Sequence, residues 1–567
     1  MSQRLFQVLL LATFAIGLTT SAVAQDTDIR TTVDKARLQA VVTFADNVLR
    51  QGRDQWSGQE TPLFADGINV DTGEPVKWVF DGKEYVVTNL ANQQNLLRTL
   101  TALSTLTGDD KYRQAAEETV RYHFEHLADE SGLLRWGGHQ FIDLATLKPV
   151  GKFDANCHEL KNTFPDYELM WQVDPEATAR YVRAFWQAHV IDWQRLDMNR
   201  HGRYGGKPAT TKVWDRDFKQ AEPFFEGQGL TFINCGTDLI FAAGMLADLG
   251  KEEGAWRWSE RLARQYVQAR HPRTGLGVYQ YSKPRRSREL PESGDLPTYS
   301  SYGDRAENQF GPEYGSVARE GWVLWGGRLQ SIYASSALVQ LHLAERMGPE
   351  GKNLLNGTTD GLKAFLAHTY DPDKNHFRPM WADGTSMDGV KLPRSGYYGN
   401  KGKVIRPLKA GAPFLVSYAR GFRLTGDDDL WQGVRSIAQG NDLGDLGAKA
   451  GTDPKVNLET KLASEDAIFA LLEIHQVAPH EQYLELARRV ADNLIAARLH
   501  HGYFLPSAKH VNAQFSTTEP LAILALDATL RGTPDAVPSY IPSSGFIHGR
   551  YDGHGRTTDQ VIWSARR

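Results

Sequence analysis

Leu106-Thr107-Gly108-Asp109-Asp110 returns letter for letter as Leu424-Thr425-Gly426-Asp427-Asp428, and an aromatic residue follows each copy, Tyr112 in one and Trp431 in the other. Glycine readily ends a helix in the left-handed conformation, and an aspartate just beyond it can cap the next helix. Each copy therefore reads as the turn of a helical hairpin. Outward from the first copy, Leu96, Leu100 and Leu103 make one apolar stripe, and Tyr112, Ala115, Ala116, Thr119, Val120 and His123 make a second. Weaker versions of the turn stand at Leu249-Gly250-Lys251-Glu252, Met347-Gly348-Pro349 and Val477-Ala478-Pro479, and Asp174-Pro175 opens a helix with proline in its favoured first turn. Six or seven such hairpins, spaced by roughly 50 to 80 residues, predict a helical array.

Several second helices run into short Gly-rich, aromatic segments: 131–139, 200–205, 275–279 and 501–504. Equivalent positions of a repeat share one edge, so these segments are expected on a single rim. No polar capping repeat marks either end, which favours an all-α chain closed into an (α/α) barrel over an open solenoid.

The remaining composition narrows the class. With 41% hydrophobic and 23% charged residues in 567, the chain is an ordinary globular protein rather than a disordered or collagen-like one. Residues 1–24 read as a secretory signal peptide: Arg4 is the positive start, Leu5 to Leu18 is largely apolar, and Ala22-Val23-Ala24 fits the cleavage site. The mature protein is expected to be periplasmic or secreted, a monomer with no membrane partner. Residues 25–531 are expected to form the barrel and 532–567, broken by Pro534, Pro538 and Pro542, an extended tail packed on its surface. The formal charge of −4 argues against a nucleic-acid partner. Two cysteines, Cys157 and Cys235, give no disulfide framework; one bridge or two buried thiols both remain open.

His139 and His201 lie in rim segments, and Glu159 falls between them in Cys157-His158-Glu159-Leu160. Two imidazoles and a carboxylate suit an open first-row metal site. His158 reads as a neighbour that orients a ligand, and His123, on an apolar stripe, as a packed core residue. A second patch, 281–325, interleaves basic and aromatic residues in a long loop suited to an acidic polysaccharide. Lys283, Arg305, Tyr314 and Arg319 are its expected substrate-binding residues.

A His about twenty positions before a Glu, and an adjacent Arg200-His201 pair about forty further on, set in a long helical-hairpin chain, resemble the family 2 pectate lyases. The resemblance implies an (α/α)7 barrel with projecting pincer-like segments. It implies cleavage of polygalacturonate by β-elimination with a transition metal, manganese, held by His139, Glu159 and His201, and Arg200 as catalytic base. Because guanidinium normally stays protonated, Arg200 gripping the substrate carboxylate, with a hydroxide on the metal taking the proton, is the alternative. Arg200 and His201 can both face one pocket only if the backbone there is irregular. Two other readings compete. An α/α-barrel glycoside hydrolase would need two carboxyls across the bond, with Asp143, Asp154, Glu159, Asp166, Asp238 and Glu313 available. A non-catalytic helical scaffold would need no convergence of His139, Glu159 and His201.

Overall fold

A computed structural model describes residues 32–543, apart from 81, 152, 161, 221 and 285–302, and beyond them 547–551 and 555–560. The leader expected over 1–24 lies outside the described residues. The helices are α1 (32–47), α2 (Gln94–Thr107), α3 (Lys111–His126), α4 (Tyr167–Val173), α5 (Pro175–His189), α6 (Ile233–Gly250), α7 (Glu253–Gln268) and α8 (Arg305–Tyr314). Next, α9 (Gly327–Gln330) runs through a π-helical stretch into α10 (Ala337–Met347), followed by α11 (Lys352–Thr369), α12 (Ala412–Thr425), α13 (Asp428–Gly440), α14 (Glu465–Val477), α15 (Glu481–Arg498) and α16 (Glu519–Leu530).

Both copies of the pentapeptide end a helix at their glycine; the second also caps the helix that follows, whereas Asp110 at the start of α3 makes no side-chain capping bond. Gly108 (φ 73°) and Gly426 (φ 68°) end α2 and α12 in the left-handed conformation, and Asp427 caps α13 by accepting from Asp429 N at 3.0 Å and Leu430 N at 3.3 Å. Asp174 caps α5 by accepting from Ala177 N, with Pro175 in the first turn.

An inner ring of α2, α4, α6, α10, α12, α14 and α16 closes where α16 meets α2. The α2–α4 junction is held by Gln94 Oε1, which accepts from Asp166 N at 2.8 Å, and by Arg98, which donates to Phe164 O at 2.6 Å. Inner helices are covered on all sides: α6 is buried without a break from Ile233 to Ala247, whereas outer α7 buries only one face. Six outer helices are the second members of continuous hairpins. The seventh outer place is taken by α1, whose Arg37 donates to Asp492 of α15 at 2.7 Å and whose Asp46 accepts from Tyr112 of α3 at 2.8 Å. The seventh pair thus joins the first outer helix of the chain to its last inner one, and the barrel is (α/α)7.

The tail departs from expectation. Instead of lying on the outer surface, residues 537–543 run up the inside of the ring. Tyr540 is buried and stacks on Phe469 of α14 at 4.0 Å, its hydroxyl donates to Asp466 at 2.8 Å, and its carbonyl accepts from Arg420 of α12 at 3.1 Å. Pro538, Ser539 and Ile541 border Arg98, Tyr167, Phe241 and His342, from α2, α4, α6 and α10. Ser543 donates to Thr163 O at 2.5 Å at the rim. The lumen is wide enough to need filling, and the chain fills it with its own C-terminal segment.

Two structures rise from the rim at the inner-helix N-termini. One is a six-stranded sheet in which the strand Ile547–Tyr551 pairs with Lys77–Phe80, then Lys83–Thr88, Gln140–Asp143 and Lys148–Gly151 follow. The other combines α8, the turns that follow it to 325 and the loop 380–405 over a core of Phe310, Val323, Trp381, Met387 and Tyr398. Cys157 and Cys235 are both buried and are not joined in a disulfide.

Candidate metal centre

Two short strands set the site. His158–Glu159 pairs antiparallel with His201–Gly202, placing Glu159 opposite His201 and His158 opposite Gly202. Directly opposed residues of such a pair face the same side, and their neighbours face the other. Glu159 and His201 therefore share one face. Gly202 leaves the back face clear, since a Cβ there would come 2.7 Å from His189 Nε2. The third group arrives from the segment before the sheet. Asn89 clamps Gly137, donating to its carbonyl at 2.8 Å and accepting from its N–H at 3.3 Å. Gly137 has φ +123° and passes so near Glu159 that a Cβ would lie 2.9 Å from Glu159 N.

The result is a triangle. His139 Nε2 lies 3.2 Å from Glu159 Oε2 and 3.2 Å from His201 Nε2, and His201 Nε2 lies 3.5 Å from Glu159 Oε1. These are the separations expected of neighbouring ligands that each sit about 2.0–2.2 Å from one first-row cation. Two imidazoles and one carboxylate also form a donor set that leaves further coordination positions open. Among the described residues this is the one group of His, Cys, Asp or Glu side chains able to hold a metal ion together.

Arg200 sits in a bend just before its strand, and its carbonyl accepts from Leu160 N at 2.9 Å. The bend lets residues 200 and 201 approach the same carboxylate: Arg200 Nε is 3.5 Å from Glu159 Oε1. His158 points away from the triangle. Its Nε2 accepts from Trp136 Nε1, and its Nδ1 shares a hydrogen bond with His189 Nε2 at 2.9 Å, while His189 Nδ1 meets Asn199 O at 2.8 Å. Burial and then His189 hold His158 well below the usual histidine range, and burial pushes His189 down to about 3. Both rings are neutral packing elements behind the strand pair. Burial also pushes the Cys157 thiol up to about 12, with Glu159 adding to it, so this thiol is inert. His123 is buried, bonds Thr119 O through Nδ1 at 2.9 Å, and is pushed down to about 4 by burial.

Sequence reasoning missed Phe153, an exposed aromatic whose ring lies 5.2 Å from His139 and 6.1 Å from His201. It opens a run of three left-handed residues, Phe153, Asp154 and Ala155 (φ 57°, 53° and 55°). No sequence pattern announces such a run, because none of the three is glycine.

The expected substrate residues do not form one patch. Lys283 and Arg319 line a cavity of about 750 Å³ together with Glu222, Asp304 and Glu307, and Lys283 Nζ lies 3.6 Å from Glu307. Arg305 turns elsewhere, onto Glu320 and the Tyr397 ring. Tyr314 packs on Trp381 at 5.5 Å within the projecting loops' core. The stretch 285–302 lies outside the described residues.

Four of the six carboxyls that a hydrolase could draw on are engaged in structural contacts. Asp166 caps α4, Asp238 accepts from Asn162, Thr163 and Phe164 N–H groups, and Glu313 pairs with Arg394 at 2.6 Å. Asp143 is bonded to Thr146 at 2.7 Å.

Residues 61–550 match the family described as periplasmic pectate lyase. The chain belongs to the periplasmic pectate lyase family. A pectate disaccharide-lyase of Dickeya dadantii (strain 3937) is 36% identical over 505 residues, which is 88% of this chain and 90% of that protein. This lyase is also similar to solved structures of more distant sequence: an alpha-1,2-mannosidase from Trichoderma reesei (9% identity, 88% of this chain and 94% of that one, TM-score 0.47) and a D-mannose isomerase (12% identity, 82% and 98%, TM-score 0.42). Ring closure rests on the lyase's own contacts, not on these likenesses. Family membership makes the chain a polysaccharide lyase and sets aside the hydrolase and scaffold readings. Its description as periplasmic agrees with the location expected from the sequence, and among the described residues no helix is long and apolar enough to cross a membrane.

Proposed function

We propose that this lyase cleaves 4-linked polygalacturonate by β-elimination at a site where His139, Glu159 and His201 hold a divalent transition metal, manganese, and Arg200 is the catalytic base. The observation that carries the reading is the triangle of 3.2–3.5 Å separations with Arg200 at its edge.

The C5 proton of a galacturonate is weakly acidic, and its loss puts negative charge on the adjoining C6 carboxylate. A divalent cation at this site supplies Lewis-acid stabilisation of that charge. Two neutral imidazoles and one carboxylate leave the loaded site with a net positive charge toward an anionic sugar. Arg200 is beside the triangle without belonging to it; a cation held there would oppose the charged guanidinium, and in this reading the neutral guanidine takes the C5 proton. The C5–H electron pair forms the C4–C5 double bond, the C4–O bond breaks, and the departing oxygen takes a proton from solvent. No water is added across the bond, so one base suffices and no second carboxyl is needed. Phe153 offers an apolar face beside the ligands on which a sugar ring can rest.

The test is product chemistry. Purified lyase given polygalacturonate is expected to release oligogalacturonides with an unsaturated, ultraviolet-absorbing end, and to turn over methyl-esterified pectin poorly. Saturated products would overturn the reading.

A further inference from the structure

Arg328 is the anomaly of the second projection. Its side chain is only 13% exposed, yet the carboxylate it faces among the described residues, Glu320 Oε1, is 3.8 Å away, beyond hydrogen-bond reach. That oxygen is already taken by Arg305 Nη2. Among the described residues Arg328 Nε has no hydrogen-bond partner, and neither does the hydroxyl of the buried Tyr398. The guanidinium lies instead against three rings: Tyr398 at 4.5 Å, Tyr279 at 4.8 Å and Tyr397 at 5.7 Å. Arg305 lies 3.6 Å from the Tyr397 ring centre, and Tyr397 is exposed.

The local charge does not balance through contacts. Two guanidinium groups share one carboxylate, Glu320. The nearby Asp304 is spent on the backbone, accepting from the N–H groups of Ala306, Glu307 and Glu320 at 2.9 Å. A buried cation with unmade hydrogen bonds is costly, and aromatic faces return only part of the loss. The missing partner has a clear chemical description: an anionic, planar oxygen pair able to accept from Arg328 and from a tyrosine hydroxyl, arriving beneath an exposed aromatic ring.

Packed contacts link this cluster to the segment that carries Glu159. Arg305 lies 5.2 Å from the Phe232 ring at the start of α6, and Cys235, in the first turn of that helix, donates to Leu160 O beside Glu159 at 3.3 Å. We infer that Arg328, with Arg305, Tyr398 and Tyr397, forms a second uronate-binding subsite that grips the carboxylate of a galacturonate other than the one being cleaved. This inference rests on the proposed polygalacturonate activity.

The experiment separates the two. Unsaturated product from wild-type lyase first establishes the activity; its absence would remove the reading on which the subsite rests. Metal-stripped wild-type lyase is then titrated with trigalacturonate and with its methyl ester, and binding is read by calorimetry. The acid is expected to bind and the ester to bind roughly tenfold or more weakly. Arg328→Met should weaken binding of the acid by roughly ten- to a hundredfold, the worth of hydrogen bonds to a charged group. In turnover the same variant should raise KM by a similar factor and leave kcat within about threefold. It should also melt no lower than wild type, because methionine fills the aromatic box without unmet donors. Equal binding of acid and ester, or unchanged binding by Arg328→Met, would overturn the subsite. A variant that melts well below wild type would mark Arg328 as a structural residue instead.

Discussion

His139 Nε2 and His201 Nε2 stand 3.2 Å apart although 62 positions separate them in the chain. With Glu159 completing the triangle, three polar groups converge at separations that suit ligands around one cation. The strand pair His158–Glu159 with His201–Gly202 fixes two corners, and the Asn89 clamp on Gly137 fixes the third. The proposed chemistry depends on that rigidity.

Arg200 is placed beside the triangle and outside it. Arg200→Lys is expected to bind manganese as wild type does while losing about a hundredfold or more in turnover, within the range for removal of a general base. Calorimetry with the ion and initial rates on polygalacturonate read the two effects separately. A matching loss of ion binding would mean that Arg200 shapes the ligand set instead.

His158 faces the other way, bonded to Trp136 and His189. His158→Leu leaves the Trp136 N–H and a His189 nitrogen unpaired in the core, at a cost of about 2–4 kcal/mol. Denaturant unfolding should show this loss, with one manganese still bound per folded chain. Loss of the ion site without loss of stability would make His158 a ligand.

Tyr540 anchors the segment that fills the lumen. Tyr540→Ala removes the stack on Phe469 and the bond to Asp466 and is expected to cost about 3–5 kcal/mol. Ending the chain after Thr533 should destabilise the barrel further, because the inner ring then surrounds a void. Unchanged unfolding of the shortened chain would contradict the threaded lumen.

Two buried carboxyls give stability opposite dependences on pH. Burial raises the Glu473 carboxyl, but Arg420 and Arg423 outweigh it and hold the group below the usual range. Its contribution is complete above the unfolded glutamate value of about 4.3 and is lost as pH falls through the lower folded value. Asp238 is pushed up to about 7 by burial, against three backbone N–H bonds. Its folded form holds a proton that the unfolded chain has released, so stability declines as pH rises from about 4 to 7. Glu473→Gln should cost about 3–5 kcal/mol at neutral pH, and Asp238→Asn should flatten the decline between pH 4 and 7. Unfolding curves across that range check both signs.

Much of the fold was legible because the helical repeat is written in local chemistry. Gly108 and Gly426 end helices wherever they stand, and the apolar stripes beside them have one period. The seventh helical pair was hidden, since α1 meets α15 through Arg37 and Asp492, at opposite ends of the chain. Pro534, Pro538 and Pro542 announce an extended segment, but whether it lies outside the ring or within it depends on what the inner helices leave empty. The residue types of the triangle were readable, as was the need for an irregular backbone at Arg200. Tyr314 was not: an aromatic in a polar stretch reads the same whether it meets a ligand or, at the end of α8, packs on Trp381. Arg328, in Gly326-Gly327-Arg328, carries no sign in sequence that three tyrosines surround it.

The most direct measurement strips the lyase of metal and returns manganese stepwise to wild type and to Glu159→Ala, following heat of binding and formation of unsaturated product together. Wild type is expected to take up one ion per chain and to recover activity in proportion, while Glu159→Ala does neither. Full activity in the stripped enzyme, or equal uptake by the variant, would contradict a cation held by His139, Glu159 and His201.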